Sequence, residues 1–446
     1  MRIAFHTLGC KVNQYETEGL KENFKKAGHE IVQDTEFADA YVINTCTVTN
    51  LADRKSRQFI RRAKAINPEA AIAVTGCYVQ VSPEEVAAIE GVDIIAGTNE
   101  KSGMVSLVEE YISSGSKIRH VKSYDQLDTY EEIGTITSME SRTRAYIKIQ
   151  EGCDRFCSYC IIPFARGSVR SRKPSEILRE ASSLVEAGFR ELILTGINTA
   201  LYGTEKGFVC DVDDYEAKAL QGIEIIIHLL DKMPGDFRIR LSSLEPTAVN
   251  SDYVRRLLKY DRLCHHLHLS IQSGSDNIIS AMNRNYSRRE YLDIVEVLRN
   301  TDANYGITTD IIVGFPGETD ADFADSMNIV EEAGFLKVHT FQYSKRKGTA
   351  AALMDNQIAP QIKKQRSAAL ISKAEEVSGR FLRGCIGEVR QVLFEELSKD
   401  KITGYTDNYI KVYADTDERY LNKLCDVRIT GLIYDGVSCE IIEEEQ

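Results

Sequence analysis

Six of the eleven cysteines in this chain fall into two sets of three, and both sets constrain where its strands end. The compact set is Cys153-Asp-Arg-Phe-Cys157-Ser-Tyr-Cys160; the spread set is Cys10, Cys46 and Cys77. Each member of the spread set follows a short apolar run. Arg2-Ile-Ala-Phe-His leads into Gly9-Cys10, Ala40-Tyr-Val-Ile-Asn into Thr45-Cys46, and Ala71-Ile-Ala-Val-Thr into Gly76-Cys77. Such runs, separated by helix-length segments, predict parallel strands. In an open parallel sheet the carboxyl ends of the strands share one edge, where ligands bind, so three distant cysteines converge there.

Three thiolates suit iron and sulfur. On a four-iron cluster they leave one iron free of protein, open to a substrate or cofactor. Structural zinc takes four protein ligands, and the compact set offers three thiols with no histidine close by. The N-terminus Met1-Arg-Ile-Ala-Phe-His lacks the charged and apolar regions of a secretory leader, so disulfides are not expected and the cytoplasm is. Cys210, Cys264, Cys385, Cys425 and Cys439 are scattered and read as ordinary small buried residues.

With 446 residues, 43% of them hydrophobic and 27% charged, the chain can fill several cores and two to four domains. No apolar run approaches the roughly eighteen residues that span a bilayer, so no membrane partner is expected. A formal charge of −12 opposes indiscriminate nucleic-acid binding, since phosphate contacts need Lys and Arg. Local patches override that total. Between Arg54 and Lys64 lie six cations, of which Arg54, Arg57, Arg61 and Lys64 share one helical face. A second basic loop, Arg166-Gly-Ser-Val-Arg170-Ser-Arg172, follows the compact cysteines. Positive charge beside both candidate metal sites points to polyanion binding.

Beyond a polar stretch from Ser113 to Arg142, strand-like segments alternate with amphipathic helices: Glu191-Leu-Ile-Leu-Thr, Phe237-Arg-Ile-Arg-Leu, His266-Leu-His-Leu-Ser and Thr309-Asp-Ile-Ile-Val. That alternation predicts a parallel α/β barrel or partial barrel. Polar or glycine-rich loops follow the strand ends at Thr195-Gly196-Ile-Asn198, Ser242-Ser243-Leu-Glu245, Gln272-Ser-Gly-Ser and Gly314-Phe-Pro-Gly-Glu. A helix to Arg383 gives way to short alternating strands, Gly387-Glu-Val-Arg-Gln-Val-Leu-Phe, Tyr409-Ile-Lys-Val-Tyr and Val427-Arg-Ile-Thr, which predict a small β-barrel. Tyr405 and Tyr409 within it offer rings for stacking on bases. The acidic tail Glu443-Glu-Glu is the only low-complexity stretch.

The compact cysteines, with Tyr146-Ile-Lys-Ile-Gln-Glu-Gly before them and Ile161-Ile-Pro-Phe-Ala-Arg-Gly after, resemble the cluster loop of radical S-adenosylmethionine (SAM) enzymes, specifically the methylthiotransferases. Thr7-Leu-Gly-Cys-Lys-Val-Asn, Asn44-Thr-Cys-Thr-Val-Thr, Tyr343-Ser-Lys-Arg-Lys-Gly-Thr and Gly404-Tyr-Thr-Asp-Asn-Tyr resemble the branch acting on threonylcarbamoyladenosine (t6A) beside the anticodon of tRNA. The resemblance implies an α/β chain of three parts: an open parallel α/β methylthiotransferase domain at 1–115, a partial (β/α) radical SAM barrel at 140–372, and a small TRAM β-barrel at 376–443. A linker at 116–139 joins the first two.

It also implies two 4Fe-4S clusters and SAM. Cys153, Cys157 and Cys160 would hold the radical cluster, and Cys10, Cys46 and Cys77 an auxiliary cluster. Gly196, Asn198, Ser243, Glu245, Gln272 and Arg284 would line the SAM pocket. No side chain is implied as acid or base, because the C2–H bond of adenine lies beyond any side-chain base and calls for a cofactor radical. The implied partners are the tRNA anticodon loop, an electron donor such as flavodoxin or ferredoxin, and a sulfur source. Prenyladenosine in tRNA and a ribosomal-protein aspartate are the alternative substrates within the family.

Three features stand apart from the pattern. Ser270 stands where relatives commonly carry proline. The acidic stretch Gly203 to Leu220, with Cys210 in it, is longer than expected. His265, His266 and His268 alternate on a strand and read as packing or hydrogen-bonding residues rather than a third metal site.

Overall fold

The computed structural model describes residues 1–134, 136, 143–398, 401–415 and 418–442. The acidic tail and residues 137–142 of the polar stretch lie outside them. The first sheet holds β1 (Arg2–Thr7), β2 (Glu30–Val32), β3 (Ala40–Thr45), β4 (Ala71–Gly76), β5 (Ile94–Ala96) and β6 (Ile118–His120). All pair in parallel, in the order β2-β1-β3-β4-β5-β6. The last strand falls within the stretch expected as a linker.

Helices cover both faces of this sheet, which is why β3 and β4 are buried along their whole lengths. Alternate side chains divide between two cores: Tyr41 and Ile43 pack with Phe59, Ile60 and Ala63, whereas Ala40 and Val42 pack with Leu20 and Phe24. Phe59, Ile60 and Ala63 form the apolar stripe of α2 (Asn50–Ile66), whose Thr49 side chain accepts a hydrogen bond from the Ala52 amide at the N-cap.

The second unit contains β7 (Arg144–Glu151), β8 (Arg170–Ser171), β9 (Glu191–Gly196), β10 (Arg238–Leu241), β11 (Ser243–Leu244), β12 (His266–Leu269), β13 (Gly306–Val313) and β14 (Lys337–Gln342). Two four-stranded sheets, β10-β9-β7-β8 and β11-β12-β13-β14, meet at the continuous segment β10–β11. Apart from the short antiparallel β8, every pairing is parallel. The result is the partial barrel read from the sequence, with edges at β8 and β14. Ala145, Ile147, Leu192, Leu194, Ile239, Leu267 and Ile307 join the surrounding helices in one core.

A helix at Pro360–Gly384 leads to a closed five-stranded barrel of β15 (Val389–Ser398), β16 (Lys401–Thr406), β17 (Lys411–Ala414), β18 (Leu424–Ile433) and β19 (Gly436–Ile441), in the order β15-β16-β17-β19-β18. It seats on the amino-terminal ends of the larger barrel's strands. Arg238 donates to the carbonyls of Gln391 and Tyr405, and Arg240 to those of Thr406 and Asp407. Both guanidinium groups also bind the fully buried Glu191 at 2.7 and 2.8 Å. Burial alone would push that carboxyl up, but Arg240 and Arg238 hold it well below the usual range.

This docking overturns one reading of the sequence. Tyr405 and Tyr409 stack on each other at 5.1 Å, with Arg144 over the first ring, Arg240 over the second, and His266 stacked on Tyr409 at 4.5 Å. The rings are consumed in joining the two barrels and do not face bases.

Replacing Glu191 by Gln leaves Arg238 and Arg240 buried without a countercharge. A loss of about 3–5 kcal/mol is expected, measured as a lower denaturant midpoint by circular dichroism; an unchanged midpoint would show that the carbonyls alone satisfy both arginines.

Candidate functional site

The three spread cysteines converge as the strand pattern requires. Cys10 is the N-cap of α1 (Lys11–Lys26), Cys46 follows β3, and Cys77 opens α3 (Cys77–Val81) directly after β4. Cys10 and Cys46 flank the point where strand order reverses between β1 and β3, the crevice in which open sheets bind ligands. Gly9 and Gly76, with φ of +107° and +98°, make the approach possible. A Cβ on Gly9 would lie 2.8 Å from the Cys46 Cβ, and one on Gly76 would lie 2.4 Å from the Thr45 carbonyl oxygen.

The compact cysteines hang from the carboxyl end of β7, where Gly152 at φ +76° passes so close to Ser168 that no Cβ could fit. The Cys153 amide donates to the Gly167 carbonyl, and Ser158 is tied to the carbonyls of Ala281 and Met282. Phe156 and Asn283, both at positive φ, meet through a hydrogen bond from the Asn283 Nδ2 to the Phe156 carbonyl.

Cys153, Cys157 and Cys160 line a cavity of about 230 Å³ with Arg155, Asn198, Ser243, Glu245, Ser270, Gln272, Arg284 and Asp310. Five of the six residues expected at a cofactor pocket are therefore on its wall. The sixth, Gly196, lies behind it: a Cβ there would meet Gln150, whose Oε1 accepts from the Asn198 amide. Glu245 organises the wall by accepting from Asn198 Nδ2 at 2.7 Å and Arg155 Nε at 3.1 Å, with Arg284 at 3.5 Å. Arg155 and Asp310 escaped the sequence reading. Arg155 lies between two of the cysteines, a position that could have identified it; Asp310 carries no such signal.

The donor sets fit iron and sulfur. Burial pushes the Cys153 thiol up to about 11, and the Cys46 and Cys160 thiols up to about 12, so they ionise only beside added positive charge. A tetrahedral zinc would bring its sulfurs to roughly 3.8 Å of one another. Among the described residues neither cysteine trio gathers its sulfurs within 4.8 Å, which leaves room for something larger than one ion. Around the cavity, Asn198 Oδ1 and Arg284 Nε are buried without hydrogen-bond partners. An orphaned acceptor and an orphaned donor beside a carboxylate match the ammonium and carboxylate of an amino acid.

The two sites are joined through Arg166. Its Nε donates to Cys77 Sγ at 3.2 Å, Nη1 binds Glu16 at 2.5 Å and Glu151 at 2.6 Å, and Nη2 binds Asn13 at 2.6 Å. Lys148 bridges Glu16 and Glu151, and Lys101 reaches Glu16 at 3.3 Å; all these charged groups are buried. Farther round, Arg346 binds Asp53 and Thr47, next to Cys46.

The second basic loop is thus no polyanion surface. Arg166 neutralises Glu16 and Glu151, Arg170 binds the Leu127 and Arg166 carbonyls, and Arg172 pairs with Glu132 and Glu180; all three are buried. On α2 the expected face divides. Arg57 pairs with Glu85 and Lys64 with Asp93, whereas Arg54, Lys55, Arg61 and Arg62 are exposed.

The histidine row hydrogen-bonds within the fold: His265 with Asp302, His266 with Thr308, and His268 with Thr308, Ser270 and Asp310. The acidic stretch Gly203 to Leu220 is a strap. Glu205 binds Ser171, Asp211 binds Ser175, and Phe208, Cys210 and Val212 pack on the core. Its Asp214 and Glu216 are bridged by Lys232.

Comparison with known proteins agrees with this geometry. Residues 2–97 match the uncharacterized protein family UPF0004, and residues 147–330 match the radical SAM superfamily. The threonylcarbamoyladenosine tRNA methylthiotransferase of Bacillus subtilis is 40% identical, over 99% of this chain and 97% of its own. The protein of the same name from Thermotoga maritima is 38% identical, over 98% of this chain and 96% of its own. Among solved structures, the radical SAM methyltransferase TsrM of Kitasatospora setae shares the fold with a TM-score of 0.57 at 13% identity, covering 79% of this chain and 77% of that one.

Gly76→Ala forces β3 and β4 apart beside Cys46 and Cys77. The expected cost is about 1–3 kcal/mol, seen as a lower melting temperature together with faster alkylation of those two thiols in the metal-free protein. Wild-type alkylation rates would show that the strand ends absorb the extra carbon.

Proposed function

The chain belongs to the methylthiotransferases of the radical SAM superfamily, and from that membership we propose that it converts t6A beside the tRNA anticodon to its 2-methylthio derivative. The observation that carries this reading is the likeness, over almost the full length, to relatives bearing that activity in their names.

On this reading Cys153, Cys157 and Cys160 hold one 4Fe-4S cluster, and Cys10, Cys46 and Cys77 hold a second. The clusters and SAM, when bound, supply the radical that breaks the C2–H bond and the sulfur and methyl groups that replace hydrogen. The protein's own work is placement. Asn198, Glu245 and Arg284 offer an acceptor, a carboxylate and a donor to the amino-acid end of SAM. Ser243 and Gln272 complete the wall, and Gly196 lets Gln150 support it from behind.

Arg284 also points a nitrogen at Cys157 Sγ, 3.7 Å away, so the same guanidinium touches the cofactor wall and a metal ligand. Gln272 holds φ of +67°, a conformation costly for a non-glycine residue, and the β13 strand fixes it through backbone bonds to Asp310 and Ile312.

The division of labour follows the three units. Residues 1–115 carry the auxiliary site, 140–372 the radical site, and 376–443 a TRAM barrel, with 116–139 between the first two. The base must leave the stack of the anticodon loop to reach the cavity, which a single-stranded loop permits at low cost. Arg54, Lys55, Arg61 and Arg62, exposed on α2, would offer cations to its phosphates. A low-potential donor such as flavodoxin or ferredoxin and a sulfur source complete the set of partners, and a tRNA substrate places the work in the cytoplasm. No helix among the described residues is long and apolar enough to cross a membrane.

Mass spectrometry of digested tRNA from cells lacking their own methylthiotransferases, with and without this gene, tests the reading. The 2-methylthio derivative of t6A is expected with the intact protein and absent with Cys153→Ala. A methylthiolated prenyladenosine in its place would change the substrate, and no new nucleoside would exclude tRNA. Iron analysis after anaerobic reconstitution tests the cofactor count: about eight irons per chain should fall by half in Cys10/Cys46/Cys77→Ala.

A further inference from the structure

The junction between the first sheet and the barrel is dense in cations, and each has a carboxylate with one exception. Arg166 and Lys148 share Glu16 and Glu151; Lys101 binds Glu16; Arg144 binds Glu395; Arg240 binds Glu191; Arg346 binds Asp53. The exception is Lys11, the first residue of α1 and the neighbour of Cys10. Its Nζ lies 5.9 Å from the centre of the Tyr146 ring on β7. Among the described residues, it makes no ion pair and no hydrogen bond. It is half-buried, and Cys10 beside it is exposed. Ala145 and Ile147, on either side of Tyr146, pack into the helix-facing core, so the Tyr146 ring and the Lys11 ammonium over it lie on the inner face of β7. On the inner face of β12, His268 bonds Asp310 on the cavity wall, and the His339 ring lies 5.8 Å from its own.

An ammonium group with no anion, in a junction where every neighbouring cation has one, is a site awaiting an anion. The substrate class proposed above supplies one: the threonylcarbamoyl group on N6 ends in a carboxylate, which a prenyl group lacks. We propose that Lys11 is a specificity-determining residue that binds the carboxylate of the threonylcarbamoyl side chain when the adenine lies between the two cysteine trios. This rests on the reading of t6A as substrate. Lys11 would bind and orient, taking no part in bond breaking. The pairing explains why a charged residue occupies the first turn of α1 beside Cys10, where a phosphate of the RNA backbone could not follow the base into the barrel.

The test is binding of the anaerobically purified full chain to two anticodon-loop RNAs, one carrying t6A and one with plain adenine at the same position. Wild type should prefer the modified RNA by about tenfold, roughly 1.4 kcal/mol. Lys11→Met should abolish that preference while leaving affinity for the plain RNA unchanged, and Lys11→Arg should restore most of it. If Lys11→Met keeps the preference, or weakens both RNAs alike, the assignment is wrong; the second result would make Lys11 a backbone contact. Because a change beside Cys10 could disturb the fold, a substrate-side variant stands beside it. Wild-type protein should bind RNA whose threonyl carboxylate is methyl-esterified about ten times more weakly than RNA with the free acid, and equal binding would overturn the proposal without reference to any mutant. Failure of the broader reading looks different: wild type would then form no methylthio-t6A at all.

Discussion

The arrangement depends on one buried guanidinium. Arg166 closes the short helix Ile162–Arg166 after the compact cysteines, yet its hydrogen bonds end on Glu16 and Asn13 of the first unit, on Glu151 of the barrel, and on the sulfur of Cys77. Desolvating these charges is costly, and only complete pairing offsets it. Losing one partner would strand the rest at a cost of about 3–5 kcal/mol, so the lattice tolerates a single relative placement of the two sheets. That placement brings the carboxyl edge of the open sheet against the carboxyl edge of the barrel. The helix that follows Cys160 then reaches the Cys77 sulfur through Arg166. The lattice is also uneven in charge: Arg166, Lys148 and Lys101 face Glu16 and Glu151, leaving an excess of positive charge beside the sulfurs. An excess of that sign suits thiolates and an anionic cluster.

The opposite ends of the barrel strands are treated differently. There Glu191, Arg238, Arg240 and the aromatic pair Tyr405 and Tyr409 close the floor against the small barrel. The small barrel thus covers that end of the strands. Within the larger barrel, His266, His268, Thr308, Ser270 and Asp310 form a hydrogen-bonded column where many barrels place aliphatic side chains. Ser270 takes part through its hydroxyl, which donates to Asp310. Its carbonyl still accepts from Arg284 and Tyr286, so the strand end keeps its hold on the cofactor wall.

Strand ends and cysteines were legible in the sequence because both are local facts. An apolar run followed by a cysteine places a thiol at a sheet edge whatever the rest of the chain does. Charge was not legible in the same way. Arg166, Arg170 and Arg172 look like an exposed basic loop, since their partners Glu16, Leu127, Glu132 and Glu180 are scattered through the chain and nothing local announces them. Tyr405 and Tyr409 misled for the same reason: the residues that cover them, Arg144, Arg240 and His266, belong to another unit. The family resemblance implied Gly196 as pocket wall, whereas a Cβ there would meet Gln150 and Asn198 two residues on lines the cavity.

The same distinction between local and distant charge bears on how an acidic protein handles RNA. The formal charge of −12 repels a polyanion at long range, and salt screens that repulsion within about 10 Å. Close contact is therefore governed by cations near the RNA that are not already neutralised. Burying Arg166, Arg170 and Arg172, and pairing Arg57 and Lys64, removes five candidates from the surface. Arg54, Lys55, Arg61 and Arg62 stay exposed on the helix that starts just after Cys46. Four of the six cations of α2 thus stay exposed, while those that follow the compact cysteines hold the fold together.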